Sequence, residues 1–206
     1  MSANSGVFED KTGLERIQFF SDAVMAIAIT LLVIDLRVPE NAQESSLGGT
    51  LLKLWPNYLG YLLSFFVIGN YWLSHHRLFR PIRRYDDRLR WLSLAFLFFI
   101  ALLPFSTRLI GLFPFSRTAI AVYSLNVLPL GFISFALARH AYANNRLVNT
   151  SMPAADIRKL LGFSRRGTVV FMACLVISTI FPVAFFPVWF LAFLARSTGR
   201  KAFKIQ

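Results

Sequence analysis

Cysteine is almost absent. Cys174 is the only one and lies inside an apolar run, which excludes an intrachain disulfide and a cysteine-rich metal site. Charge is also sparse, at 16% of residues, where soluble domains carry roughly 25%. Acids are rarer than bases, 10 against 22. No polar linker is long enough to separate two domains, and no internal repeat or low-complexity segment is visible. A cleavable leader is not expected. Residues 1–15 are polar and include Glu9, Asp10 and Glu15, and the apolar run that follows ends in Asp35 and Arg37 without a small-residue cleavage site. No glycine pattern of a nucleophile elbow surrounds Ser21, which argues against a Ser–His–Asp hydrolase and against an enzyme.

Apolar residues fill that space. Hydrophobic residues make up 56% of the chain and aromatics 16%, and several apolar runs approach the ~20 residues that cross a bilayer. The class implied is an all-α integral membrane protein, folded as one domain over 1–206. Six spans are read, at 16–37, 53–78, 90–112, 117–139, 165–182 and 185–200. Residues 167–195 are short for two full spans, so the last pair is read as two shorter helices broken at Pro182 and Pro187.

The net charge of +12 does not point to nucleic acid, because the bases sit in the gaps between apolar runs. With the N-terminus inside, 18 bases fall on the cytoplasmic side. Only Arg37, Lys53, Arg108 and Arg117 fall outside. That asymmetry places both termini in the cytoplasm, with 1–15 and 201–206 as cytoplasmic segments.

The first span, RIQFFSDAVMAIAITLLVID (16–35), carries polar groups at both ends. Ionisable residues at membrane depth are costly and tend to mark function. At ~100° per residue, Phe20, Ala23, Val24, Ile27, Thr30, Leu31 and Ile34 share one face. Asp22 points roughly opposite Ile27, toward other helices of its own subunit. Arg16 and Asp22 are six apart and cannot pair on one helix face, so each needs a partner elsewhere. The stripe by itself is equally what helix packing or lipid contact would produce.

The second span ends in YWLSHHRLF (71–79). Trp72, His75 and His76 fall at the depth of Ser21 and Asp22 and can supply hydrogen bonds to them. Trp72 also fits an interfacial belt residue, with the histidines merely solvated. Adjacent helical histidines diverge, so this pair is a poor metal chelate. Asn70 and Asn126 are suited to interhelical hydrogen bonds.

Arg16, Phe20, Ser21 and Asp22 form R-x-x-x-F-S-D, followed by AVMAIAITLLVIDL. This closely resembles the signature of the lysosomal potassium-channel family (transmembrane protein 175) and its bacterial relatives. The W-x-x-H-H-R-L-F of Trp72 to Phe79 is similar to a second pattern of that family. The resemblance implies a homotetramer in a bacterial plasma membrane, with four first helices around a pore that conducts potassium in preference to sodium. It implies no cofactor beyond the permeant ion and no partner other than lipid and further copies of the chain. Neither the family nor this sequence has a TVGYG filter. The family's apolar constrictions carry over to Ile27, Leu31 and Ile34, all on the face derived from angles alone. Thr30 adds a hydroxyl to that face, and Asp35 would concentrate cations at the outer mouth. Arg16, Phe20, Ser21 and Asp22, with Trp72 and one of His75 and His76, correspond to the family's network around the pore helix. Apolar rings gate by dewetting. A proton-coupled secondary cation transporter, using Asp22 and a histidine as relay, is the alternative. A non-conducting scaffold is the third reading.

Overall fold

The computed structural model describes residues 7–8, 11–40, 42–142, 147–148, 162, 169–170, 172–174 and 176–198, the last six of these by backbone only. The predicted tail 201–206, the start of the fifth span and most of the basic 140–166 segment lie outside the described residues.

Helix α1 (Lys11–Ile34) buries Leu14, Ser21, Met25, Ala28 and Leu32. These positions recur at intervals of seven, four, three and four, which is one stripe of a helix. They pack against two later helices, α3 (Trp55–Phe79) and α4 (Asp87–Leu112). Helix α1 starts earlier than hydropathy predicts, because its first turns are polar but helix-compatible. Lys11 Nζ lies 3.7 Å from Glu15 Oε1, an i,i+4 pair. Within the segment 1–15, residues 11–15 belong to α1 and Val7–Phe8 forms a strand, β1. At the other end the helix stops at Ile34, short of the predicted 37, and the Arg37 Nε–H turns back to donate to Ile34 O at 3.1 Å.

The 38–52 connection holds a 3₁₀ turn, Glu44–Ser46, and a short helix, α2 (Leu47–Lys53). Leu54 separates α2 from α3, and the two are bent by 50°. Pro56 opens α3, where a proline's missing N–H costs nothing. Helix α5 (Arg117–Tyr142) returns antiparallel along α4 after a tight turn at 113–116. Gly111 lets α3 approach α4: a Cβ there would lie 2.7 Å from Asn57 Nδ2.

Polar bonds cross the bundle interior. The Thr107 hydroxyl donates to Ser64 Oγ at 2.6 Å, and Ser64 shares a proton with Tyr123 OH at 3.1 Å. Asn126 Nδ2 donates to Ser106 Oγ at 3.0 Å. Without water, such groups must satisfy one another. Of the two asparagines suited to this, Asn126 is used through its Nδ2, while Oδ1 of both Asn70 and Asn126 is buried without a hydrogen-bond partner among the described residues.

The arginine-rich end of the bundle is clipped together. Strand β1 pairs antiparallel with β2 (Tyr85–Asp86), in the register Val7 to Asp86. Asp86 Oδ1 caps α4 by accepting from Leu89 N at 2.8 Å. His140 Nε2 lies 2.8 and 2.9 Å from the two Asp86 oxygens. The Arg83 and Arg84 amides both donate to Leu147 O.

Near the C-terminus, the described residues between 169 and 180 are helical (α6). A 3₁₀ turn at Pro182–Ala184 leads into α7 (Phe185–Thr198), which packs on α3. The break falls at Pro182 alone. Pro187 sits in the first turn of α7, where no intrahelical N–H is needed, so it does not interrupt the helix. Tyr123, Phe185 and Trp189 form an edge-to-face cluster that seats α7 on the bundle.

Among the described residues, α1, α4 and α5 are each long and apolar enough to cross a membrane. The bent pair reaching from Glu44 to Phe79 meets the same test as a unit, and the apolar helix Pro182–Ala192 is shorter.

Candidate ion pathway on the first helix

Helix α1 has two unlike faces. Met25, Ala28 and Leu32 are 1–2% exposed, whereas Phe20 is 54%, Ile27 58%, Leu31 42% and Ile34 50% exposed. Ala23 and Thr30 are exposed and Val24 is half-buried. The outward arc also includes Phe19 and Val33. At ~100° per residue, Ala23, Ile27, Thr30 and Ile34 fall near its middle. An apolar face this long on one chain is either lipid-facing or covered by another helix.

Thr30 Oγ1 donates to Ile27 O at 2.8 Å. Its proton is thereby turned onto its own helix, which leaves oxygen lone pairs directed outward, the polarity a cation requires.

The network expected around α1 forms only in part. Trp72 Nε1 donates to Asp22 Oδ1 at 2.8 Å and ties α3 to α1. The His76 ring lies beside Trp72, with centroids 6.1 Å apart. Ser21 is fully buried and donates to Ile17 O of its own helix, not to a histidine. His75 faces away from Asp22, stacked on Phe79 at 4.3 Å and on Phe96 at 5.8 Å. Its Nε2 has no hydrogen-bond partner among the described residues. Neither histidine therefore bonds to Ser21 or Asp22, because the indole reaches the carboxylate first and the next face of α3 turns into an aromatic packing site. Arg16 is exposed and lines a cavity of about 460 Å³ between α1 and α4, with Ser21, Arg90 and Leu97.

Asp35, expected at the outer mouth, has a basic neighbour in its own subunit. It lies past the last turn of α1, 3.7 Å from Arg108 Nη1 on α4, and is mostly covered. The neighbouring guanidinium offsets its charge and draws it back toward its own bundle.

Two features have no counterpart in the sequence reading: the Ser64–Thr107–Tyr123 chain and the Asp86–His140 pair. Hydroxyls recurring inside apolar runs at Ser64, Ser106 and Thr107 were the available signal for the first. His140, 54 residues from Asp86, offered none. Among the described residues, no group of three or more His, Cys, Asp or Glu could hold a metal ion.

Long apolar helices, cross-bonded inside and exposing apolar side chains outward on α1, α3, α4 and α5, define an integral membrane protein. The sequence model of the family described as endosomal/lysosomal potassium channel TMEM175 matches residues 16–104, which include both the stripe and Trp72. A potassium channel of Chamaesiphon minutus is 32% identical over 186 residues, 88% of each chain. The crystal structure of a lysosomal potassium-selective channel TMEM175 homolog from Chamaesiphon minutus superposes with a TM-score of 0.82 at 28% identity, covering 92% of this chain and 98% of that one. The rat endosomal/lysosomal proton channel TMEM175 is 27% identical over 181 residues, 85% of this chain but 36% of its own length. The chain belongs to the TMEM175 family.

Proposed function

We propose that this chain is a potassium-selective, leak-type cation channel, formed by four copies around a central pore lined by α1. Each subunit contributes six spans, with both termini on the cytoplasmic side of a bacterial inner membrane. The observation that carries this reading is the exposed stripe of α1. An apolar arc centred on Ile27 and Ile34 stays open in the single subunit and holds the Thr30 hydroxyl, unlike the exposed aromatic positions Trp91, Phe98 and Phe105 of α4, which suit lipid.

Ile27, Leu31 and Ile34 then form successive apolar rings. Their walls offer no replacement for water's hydrogen bonds, so a narrow ring dewets and closes the path. A larger cation sheds its hydration at lower cost than a smaller one, which favours potassium. The Thr30 oxygens between the rings replace part of the lost shell. Asp22 is a positioning residue, held by Trp72 at the flank of the arc.

The proton channels among the relatives favour a second reading, proton permeation through the same path. The coupled-transporter alternative needs a histidine beside Asp22, and Asp22 is bonded to Trp72 instead. Flux from liposomes of the purified protein separates these. Passive potassium efflux that sodium does not match, without obligatory proton movement, is the expected result. Efflux that stops when protons cannot move, or proton flux alone, refutes the potassium-leak assignment.

A further inference from the structure

We propose that the cleft between the first turn of α4 and the last turn of α5 is a binding site for the phosphate of an anionic phospholipid. The cleft, of about 350 Å³, is lined by Arg88, Phe135, Ala136, Arg139 and His140. Its two guanidinium groups come from different helices, and neither makes an ion pair or hydrogen bond to a described residue. The neighbouring acids are already engaged: Asp87 by Arg90, and Asp86 by His140. The two guanidinium groups of the cleft are therefore unpaired among the described residues. Paired guanidinium groups suit phosphate, which they bind in a fork.

The wall of the cleft selects the source of that phosphate. Phe135 and Ala136, both half-buried, lie one turn deeper along α5 and make an apolar flank below the charges. A phosphate that carries an acyl chain matches this arrangement, and a free ion leaves the flank unused. Helices α4 and α5 are both long enough to span, so their shared end lies at the depth of lipid headgroups. The proposal requires that these two helices cross the membrane. It does not depend on the pore assignment.

The test is native mass spectrometry of the purified channel in detergent, with added phosphatidylglycerol or phosphatidylcholine. Wild type is expected to retain phosphatidylglycerol preferentially. R88Q/R139Q should lose roughly tenfold or more of that preference, at about one arginine–headgroup interaction per site removed. The charge-matched control R80Q/R83Q, on the neighbouring exposed loop, should keep it. Should the double variant fail to assemble, R88Q and R139Q singly give the same reading at smaller size. Unchanged retention in R88Q/R139Q overturns the site. An equal loss in R80Q/R83Q attributes the preference to delocalised charge and overturns it as well. Complete displacement of phosphatidylglycerol by inorganic phosphate at equal concentration makes soluble phosphate the ligand and overturns the lipid assignment.

Discussion

Removing the indole donor at Trp72 should weaken the attachment of α1 to α3 without touching the apolar arc. The Trp72 Nε1–H donates to the Asp22 carboxylate at 2.8 Å. A hydrogen bond to a charged group contributes about 1.5–3 kcal/mol. Trp72 is 40% exposed in the single chain, so solvent screening lowers that to about 1–2 kcal/mol. For a chain of this size, 1 kcal/mol moves a thermal midpoint by about 2–4 °C, so W72F should lower it by roughly 2–8 °C. Part of any drop comes from lost ring packing against His76, and a double-mutant cycle removes that part. D22A should cost a similar amount in wild type and much less in the W72F background. D22N, which keeps a neutral acceptor, should fall between. The assay is thermal unfolding of the purified assembly in detergent at one scan rate. Equal cost of D22A in both backgrounds would falsify the coupling and return Trp72 to the role of a membrane-interface residue.

Ile27→Asn should raise basal current and bring the reversal potential under potassium–sodium gradients toward zero, because an amide ring wets where isoleucine does not. Its fold should survive, since Ile27 is 58% exposed in the subunit; an unchanged open probability and reversal potential in planar bilayers would move the gate to Leu31. Thr30→Val is close in shape and removes the outward lone pairs together with the exposed bond to Ile27 O, so potassium conductance should drop while assembly by size-exclusion chromatography stays as in wild type. Equal conductance would exclude Thr30 from the ion path. Asp35→Asn should leave single-channel conductance at low salt nearly unchanged, because Arg108 already offsets that carboxylate. A large loss at low ionic strength, recovered at high salt, would restore Asp35 to the mouth.

The parts of this fold that a linear pattern can encode were legible. The first four predicted spans coincide with α1, α3, α4 and α5 to within a few residues, because hydropathy and helix length determine both. The arc on α1 was legible for a similar reason: one helix has one angular coordinate, and ~100° per residue determines which residues share a face. Bonds between helices were not. Trp72, His75 and His76 all stand within one turn of α3, and only the rotation of that helix decides which of them meets Asp22. Asp35 looked free because Arg108 lies two helices away in the chain. The bend at Leu54 was also hidden, since the proline that marks it sits at a position a continuous helix start would tolerate equally well.

If α1 lines a pore as proposed, the pairing of its two ends bears on how that pore would open. Asp22, near the start of the apolar arc, is bonded to α3, and Asp35, just past its end, is paired with α4. Between them Met25, Ala28 and Leu32 are buried against the same two helices. Rotation of α1 alone would break a bond at each end and lift three buried residues out of contact. Movement of α1 together with α3 and α4 breaks neither bond and exposes no core. In the proposed tetramer, the opening motion with the lower cost would therefore be a tilt of whole subunits that spreads the Ile27 positions, not a twist of α1 within its own bundle. Interfaces between packed bodies shift more readily than close-packed cores deform.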